Sequence, residues 1–157
     1  MIQWKEDIES FIKLSNKYEV KMLMVGGGAV NFHGYQRHSA DVDFWIDTTP
    51  ENFKKLIQVF NEMGYELDDF PNDVKQKRQN ISVKFSPADL NLELITNFSV
   101  NKSFDQAHKE AEAVVVNEIP FLKWFVLSLE DLITSKIKAN RPKDLLDIQE
   151  LKKINNS

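Results

Sequence analysis

Val25-Gly26-Gly27-Gly28-Ala29, followed after a polar interval by Asp41-Val42-Asp43-Phe44-Trp45-Ile46-Asp47, is the stretch from which the architecture of this chain can be read. Met22 to Val25 has the apolar run of a short buried strand, and it enters three glycines directly. Ala29-Val30-Asn31-Phe32-His33-Gly34 then has the character of a short helix closed by glycine, so the unit is strand, tight turn, helix. Gly34 to Ala40 is a polar loop, and Asp41 to Asp47, rich in aromatic and β-branched residues, predicts a second strand. Strand side chains alternate faces. Asp41 and Asp43 therefore point the same way, about 6.6 Å apart along the backbone, while Val42 and Phe44 face the core.

Working outward, Thr49-Pro50 supplies a cap and a first-turn proline for a helix carrying Phe53, Leu56, Ile57, Val59 and Phe60 and ending at Gly64. Upstream, Ile8, Phe11, Ile12 and Leu14 define an amphipathic helix over residues 3–18. Glu66 to Asn80 reads as an irregular connection with at most a short strand. Ile81 to Phe85 and Leu90 to Ile95 both alternate, and Pro87-Ala88-Asp89 between them predicts a hairpin turn. A short helix is expected over Phe104 to Ala111, with strand material in Val114-Val115-Val116 and Ile119-Pro120-Phe121. Ser128, with Asp131 three residues on, forms a capping box for a helix that Arg141-Pro142 interrupts, and a last helix runs from Lys143 to Ile154. The fold class is α+β: a mixed sheet with helices packed on it, in a single domain spanning residues 1–157.

The 157 residues, 42% apolar and 28% charged, suit one domain that buries about 70% of its unfolded surface. With no cysteine, thiol catalysis, thiolate zinc sites and iron–sulfur clusters are excluded. No signal peptide or membrane-length apolar run is evident, so a cytoplasmic location is expected. The net charge of −4 lacks the basic footprint of a dedicated nucleic-acid binder. The clusters Lys75, Lys77, Arg78 and Lys136, Lys138, Arg141, Lys143, Lys152, Lys153 read by default as solvated helix faces.

Asp41 and Asp43 are a costly pair. At an effective dielectric of about 20 they repel by roughly 2.5 kcal/mol, so a positive group is expected between them. Magnesium fits, since it takes one or two carboxylates and completes its octahedron with water and phosphate oxygens. A third acid, Glu93 in Leu92-Glu93-Leu94, lies on a strand expected in the same sheet and could accept a proton from an attacking hydroxyl. The glycine turn before a helix start attracts phosphate. Taken singly these signals are weak: a D-x-D pair is more often a surface feature, and the glycines match neither a Walker loop nor G-x-G-x-x-G. Their order along the chain is far more specific. His33 and His38 do not share a helix face, which argues against a zinc pair. His108 falls in a polar helix, and Trp4, Trp45 and Trp124 read as core or half-buried aromatics.

With these residues in place, Val25 to Ala29, His33-Gly34, Arg37, Ser39 and Asp41 to Ile46 together resemble the nucleotidyltransferase (DNA polymerase β-like) superfamily, in a minimal bacterial branch similar to the AbiEii-type toxin nucleotidyltransferases. Leu127 to Ile133, Lys136, Ala139, Arg141, Lys143-Asp144 and Asp147 are similar to that branch's C-terminal element, so the resemblance covers roughly residues 20–151. It implies an N-terminal helix (1–20), a catalytic core (21–122) and C-terminal helices (127–155). The implied reaction moves a nucleoside monophosphate from an NTP to an acceptor hydroxyl, on tRNA, protein or a small molecule, and releases pyrophosphate. Asp41, Asp43 and Glu93 would hold Mg2+ (or Mn2+). Gly26 and Gly27 would line the triphosphate, with Arg37, Ser39 and Lys136 as phosphate contacts. Asp144 and Asp147, three apart on a helix, share a face and could assist catalysis or pair with Arg141 or Lys143, the structural role being the favoured reading. Gly27 stands where many members have serine, and Glu93 where aspartate is commoner. The short chain also points to acceptor recognition through a partner protein or a dimer. The alternative is a non-catalytic, antitoxin-like or regulatory module on the same fold.

Overall fold

In the computed structural model, which describes residues 6–85 and 90–156, the strand β1 (Met22–Val25) is buried at all four positions and lies inside a six-stranded mixed sheet. Its neighbours are β2 (Asp41–Ile46), antiparallel, and β6 (Lys123–Val126), parallel. The sheet extends from β2 to β4 (Asn91–Ile95), parallel, and then to β3 (Ile81–Val83), antiparallel; beyond β6 lies β5 (Glu112–Val115), antiparallel. Among the described residues there are seven helices: α1 (Glu6–Lys17), α2 (Gly26–Phe32), α3 (Pro50–Glu62), α4 (Asn72–Lys75), α5 (Phe104–Lys109), α6 (Leu129–Ala139) and α7 (Pro142–Asn155). This is the α+β architecture expected from the sequence. None of these helices is long and apolar enough to cross a membrane.

The alternation in β2 sorts the two faces of the sheet. Val42, Phe44 and Ile46 face α1 and α3, where Phe11 packs between Phe44 and Phe60 with ring centroids 6.3 and 5.6 Å away. Asp41, Asp43 and Trp45 take the other face, and there Phe98 and Phe104 cover the indole at 5.3 and 5.1 Å. The helix α3 starts as its sequence predicts: Thr49 accepts a hydrogen bond from the Asn52 amide, and Pro50 occupies the first turn.

Departures from the sequence reading are local. The helix α2 begins at Gly26 rather than Ala29, because Gly26 takes φ +62° and turns the chain within one residue. Residues 72–75 form the helical turn α4, where at most a strand was expected. The strand pair β3 and β4 is antiparallel as a hairpin requires, with Pro87-Ala88-Asp89 outside the described residues, as is Trp4. The apolar strand before the C-terminal helices is Lys123–Val126, not Ile119 to Phe121. Ser128 accepts from the Asp131 amide at 3.1 Å, but the Asp131 carboxylate, instead of closing a capping box, meets Lys102 at 2.9 Å. Lys75 and Arg78 are paired with Asp69 and Asp73, in keeping with a solvated surface. His33 binds the Leu127 carbonyl at 2.7 Å, and His108 stacks on Phe104 and meets Phe125 at a tilt rather than lying in a polar setting.

Candidate active site

The acids come together through register. In the parallel pairing of β2 and β4, Asp43 lies directly opposite Glu93. Residues opposite one another on neighbouring strands, about 4.8 Å apart, project to the same side. Asp41, Asp43 and Glu93 therefore share the face of the sheet away from α1 and α3. Asp41 is exposed, Asp43 and Glu93 are half-buried, and none of the three forms an ion pair among the described residues. Glu93 accepts a hydrogen bond of 2.5 Å from the Ser82 hydroxyl on β3. The Asp43 carboxyl is pushed up to about 6, first by burial and then by the charges of Asp41 and Glu93; Lys136 and Lys143 pull in the opposite direction but do not cancel them.

Gly26 and Gly27 set the backbone against this face. The Asp43 carboxylate occupies the space where a side chain at position 26 would stand. A Cβ on residue 27 would lie 2.6 Å from the Ser39 Oγ, so the glycine leaves room for that hydroxyl at the helix start. Ser39 is held in place by donating to the Asp41 carbonyl at 3.0 Å.

Opposite the sheet, α6 and α7 contribute a buried ionic network. Arg37 binds both oxygens of Asp147, at 2.9 and 3.1 Å. Lys136, 5% exposed, places its amine 3.1 Å from Asp144 and 3.0 Å from Asp147, which are 0% and 2% exposed. Arg141 completes the set with a 2.6 Å contact to Asp144, and its backbone N–H also donates to that carboxylate. Burial alone would raise the Asp144 pKa, but hydrogen bonds from Arg141 and Lys136 outweigh it and hold it below the usual carboxylate value. The pairing of Asp144 with Arg141 is as the sequence suggested; the Lys136 and Arg37 partners were not anticipated.

Between these walls lies a cleft of about 440 Å3. It is lined by Gly26, Gly27, Arg37, Ser39, Asp41, Asp43 and Lys136, which are seven of the eight residues the sequence singled out. Glu93 is the exception: it sits beside Asp43 in the sheet without lining the cleft. The sequence reading missed Lys138 and Lys143 as lining groups, and it missed Ile95, Asn97, Phe98 and Ser99. The alternation of β4 continues past its last residue, and that continuation was the available signal for Asn97 and Ser99.

Among the described residues, no group of three or more carboxylate or imidazole side chains is gathered tightly enough to enclose a metal ion unaided. The donor set nevertheless suits magnesium. Two carboxylates on one strand face, one of them held at a raised pKa by burial and then by its acidic neighbours, form a site short of positive charge, and the ion ordinarily draws its other ligands from water and phosphate.

A family model described as "Nucleotidyltransferase of unknown function (DUF6036)" matches residues 1–156, the whole of the fold and cleft described above. No curated protein matches the chain.

Proposed function

The chain belongs to this family of nucleotidyltransferases, and from that premise we propose that it transfers a nucleoside monophosphate from an NTP to an acceptor hydroxyl, with pyrophosphate as the leaving group. The observation that supports this most directly is the register that sets Glu93 opposite Asp43, on the face that carries Asp41. Asp41 and Asp43, with Glu93 opposite Asp43 in the sheet, would supply the carboxylates for Mg2+ (or Mn2+), whose remaining ligands would be water and phosphate and which when bound would neutralise phosphate charge and lower the pKa of a coordinated hydroxyl. Glu93 accepts the proton of the acceptor hydroxyl as its oxygen bonds to the α-phosphorus, and the bond from that phosphorus to the bridging oxygen breaks. Gly26 and Gly27 present backbone N–H groups to the triphosphate, and Ser39 adds a hydroxyl beside them. Arg37 and Lys136 are balanced by Asp144 and Asp147, and Lys138, Arg141 and Lys143, which also line the cleft, leave this wall net positive toward phosphate.

The acceptor hydroxyl in this reading belongs to tRNA, a protein or a small molecule, and a cognate partner protein in the cytoplasm would control the activity. The test is calorimetric titration of the four NTPs, with and without magnesium, into the wild-type protein and the Asp41→Asn, Asp43→Asn double variant, followed by transfer from α-labelled NTP. Magnesium-dependent binding and transfer, reduced at least 1,000-fold or so in the double variant, is the expected result. Binding that survives in the variant, with no transfer by either protein, would replace this reading with the non-catalytic module.

A further inference from the structure

The sheet has two outer edges, and they are finished differently. The edge strand β3 is only three residues long, and its central residue, Ser82, donates its hydroxyl to Glu93. At the other edge, β5 presents Ala113-Val114-Val115, followed by Val116, with no charged residue and no proline among them. Exposed edges are ordinarily blunted by such residues, by a bulge or by a covering element. Here the register with β6 runs unbroken from Glu112 opposite Val126 to Val115 opposite Lys123, and among the described residues no further strand pairs with β5.

The pairing with β6 decides which backbone groups are left over. The Val116 amide donates to the Leu122 carbonyl at 3.0 Å. Hydrogen-bonded pairs alternate along an antiparallel ladder, so Val114 and Glu112 also turn their N–H and C=O groups toward β6. Ala113 and Val115 then turn theirs outward, and among the described residues neither makes a backbone hydrogen bond beyond the ladder. Their side chains share a face with Phe125 and Lys123, the residues opposite them. All four are exposed, Val115 at 57% and Phe125 at 36%.

This edge is complementary to itself. Laid antiparallel on a second β5 about a two-fold axis at Val114, the Ala113 of each copy would stand opposite the Val115 of the other, and both pairs would be of the hydrogen-bonded kind. Val114 would face its own counterpart in the non-hydrogen-bonded pair between them. The small alanine sits beside the larger valine, Glu112 comes opposite Val116, and no charge meets a like charge along the paired residues. On the exposed face, Phe125 and Ala113 of one copy would continue into Val115 of the other, covering apolar surface that each copy alone leaves to water.

We infer that β5 pairs with the β5 of a second copy of this chain, giving a two-fold dimer whose sheet runs unbroken through both copies. The strands β1 and β6 stand between β5 and β2, so the pairing leaves Asp41, Asp43 and the cleft untouched.

The absence of cysteine makes the register testable. Full-length Val114→Cys carries one thiol, so its disulfide can form only between copies. The Cα separation in a non-hydrogen-bonded antiparallel pair, about 4.5 Å, is one that a disulfide spans. In a glutathione redox buffer this variant should become a covalent dimer, whereas Glu112→Cys, displaced from its counterpart by about 13 Å along the strands, should not. Sedimentation velocity of the wild-type protein should show a dimer that dissociates on dilution. Ala113→Pro, which removes an outward N–H and spares the ladder to β6, and Val115→Lys should each weaken dimerisation at least about 10-fold, with the unfolding midpoint of the dilute monomer unchanged. A wild-type protein that stays monomeric at every concentration, a thiol at 114 that links no better than one at 112, or a dimer that survives both edge substitutions overturns the inference.

Discussion

On β2 and β4, three carboxylates share one face and none is ion-paired among the described residues, whereas at the α6–α7 corner two carboxylates buried more deeply are bound by three cations. Both regions line or border the same cleft, so the contrast is not one of location. In the corner, every buried charge has a partner from the chain itself, and the network fastens α7 to the loop that precedes β2. In the floor, like charges share one face with no ion-pair partner among the described residues, and Asp43, half-buried beside them, has its pKa raised first by burial and then by Asp41 and Glu93. Folding alone favours the first arrangement and penalises the second. Charge kept together against that penalty is the mark of a site shaped for something that arrives from outside.

The contrast predicts opposite signs for removing a charge. The largest effect is expected for Lys136→Met. Asp144 and Asp147 would lose a shared partner, at a cost of about 3–5 kcal/mol. Thermal unfolding should show a fall in midpoint of roughly 10 °C. A variant as stable as the wild type would mean that the corner is not the scaffold described here.

In the floor the sign reverses. For Asp43 the folded pKa of about 6 lies above the ordinary 3.8, so the folded state holds the proton more tightly than the unfolded one. Its contribution to stability therefore falls as pH rises from about 4 to about 6, and the penalty is complete above that window. Asp43→Asn should stabilise the metal-free protein by about 1–2 kcal/mol at pH 7.5, after allowance for solvent screening, with the gain shrinking toward zero near pH 4. Urea unfolding in the presence of a chelator at both pH values measures it. Asp144 runs the other way: its lowered pKa gives stability that is present above the ordinary carboxylate value and lost as the solution is acidified below it.

The smallest effect belongs to the outer end of the network. The Arg141 side chain is 56% exposed, and Lys136 remains on Asp144 when it is removed. Arg141→Ala should cost no more than about 1 kcal/mol in the same unfolding assay. A loss as large as that of Lys136→Met would show that exposure does not grade the network as argued.

How far the sequence could be read follows from the range of each interaction. The face shared by Asp41 and Asp43 is a local property of an alternating strand and was legible. So were the caps at Thr49 and Ser128, each closed within three residues. The opposition of Asp43 and Glu93 needed a strand register, which alternation narrows without fixing. The corner network was least accessible, because Arg37 meets Asp147 across 110 positions and nothing in the spacing of either residue specifies the other. The strand Lys123–Val126 was hidden for a different reason: it is too short for periodicity to separate it from the apolar residues around it. Asn97 and Ser99 lie beyond the end of a regular strand, and only the cleft shows that they line it.

The span from Arg37 to Asp147 also bears on how the protein is made. During synthesis, the residues of β1, α2 and β2 emerge long before those of α7, so Arg37 is made 110 residues ahead of its partner Asp147. The cleft becomes a cleft only when Asp144 and Asp147 emerge and the late helix docks, a closure of high sequence separation that is entropically slow. Chains released before that point carry the sequence of all six strands but lack the wall that α7 supplies, so the cleft is withheld until translation has passed the seventh helix.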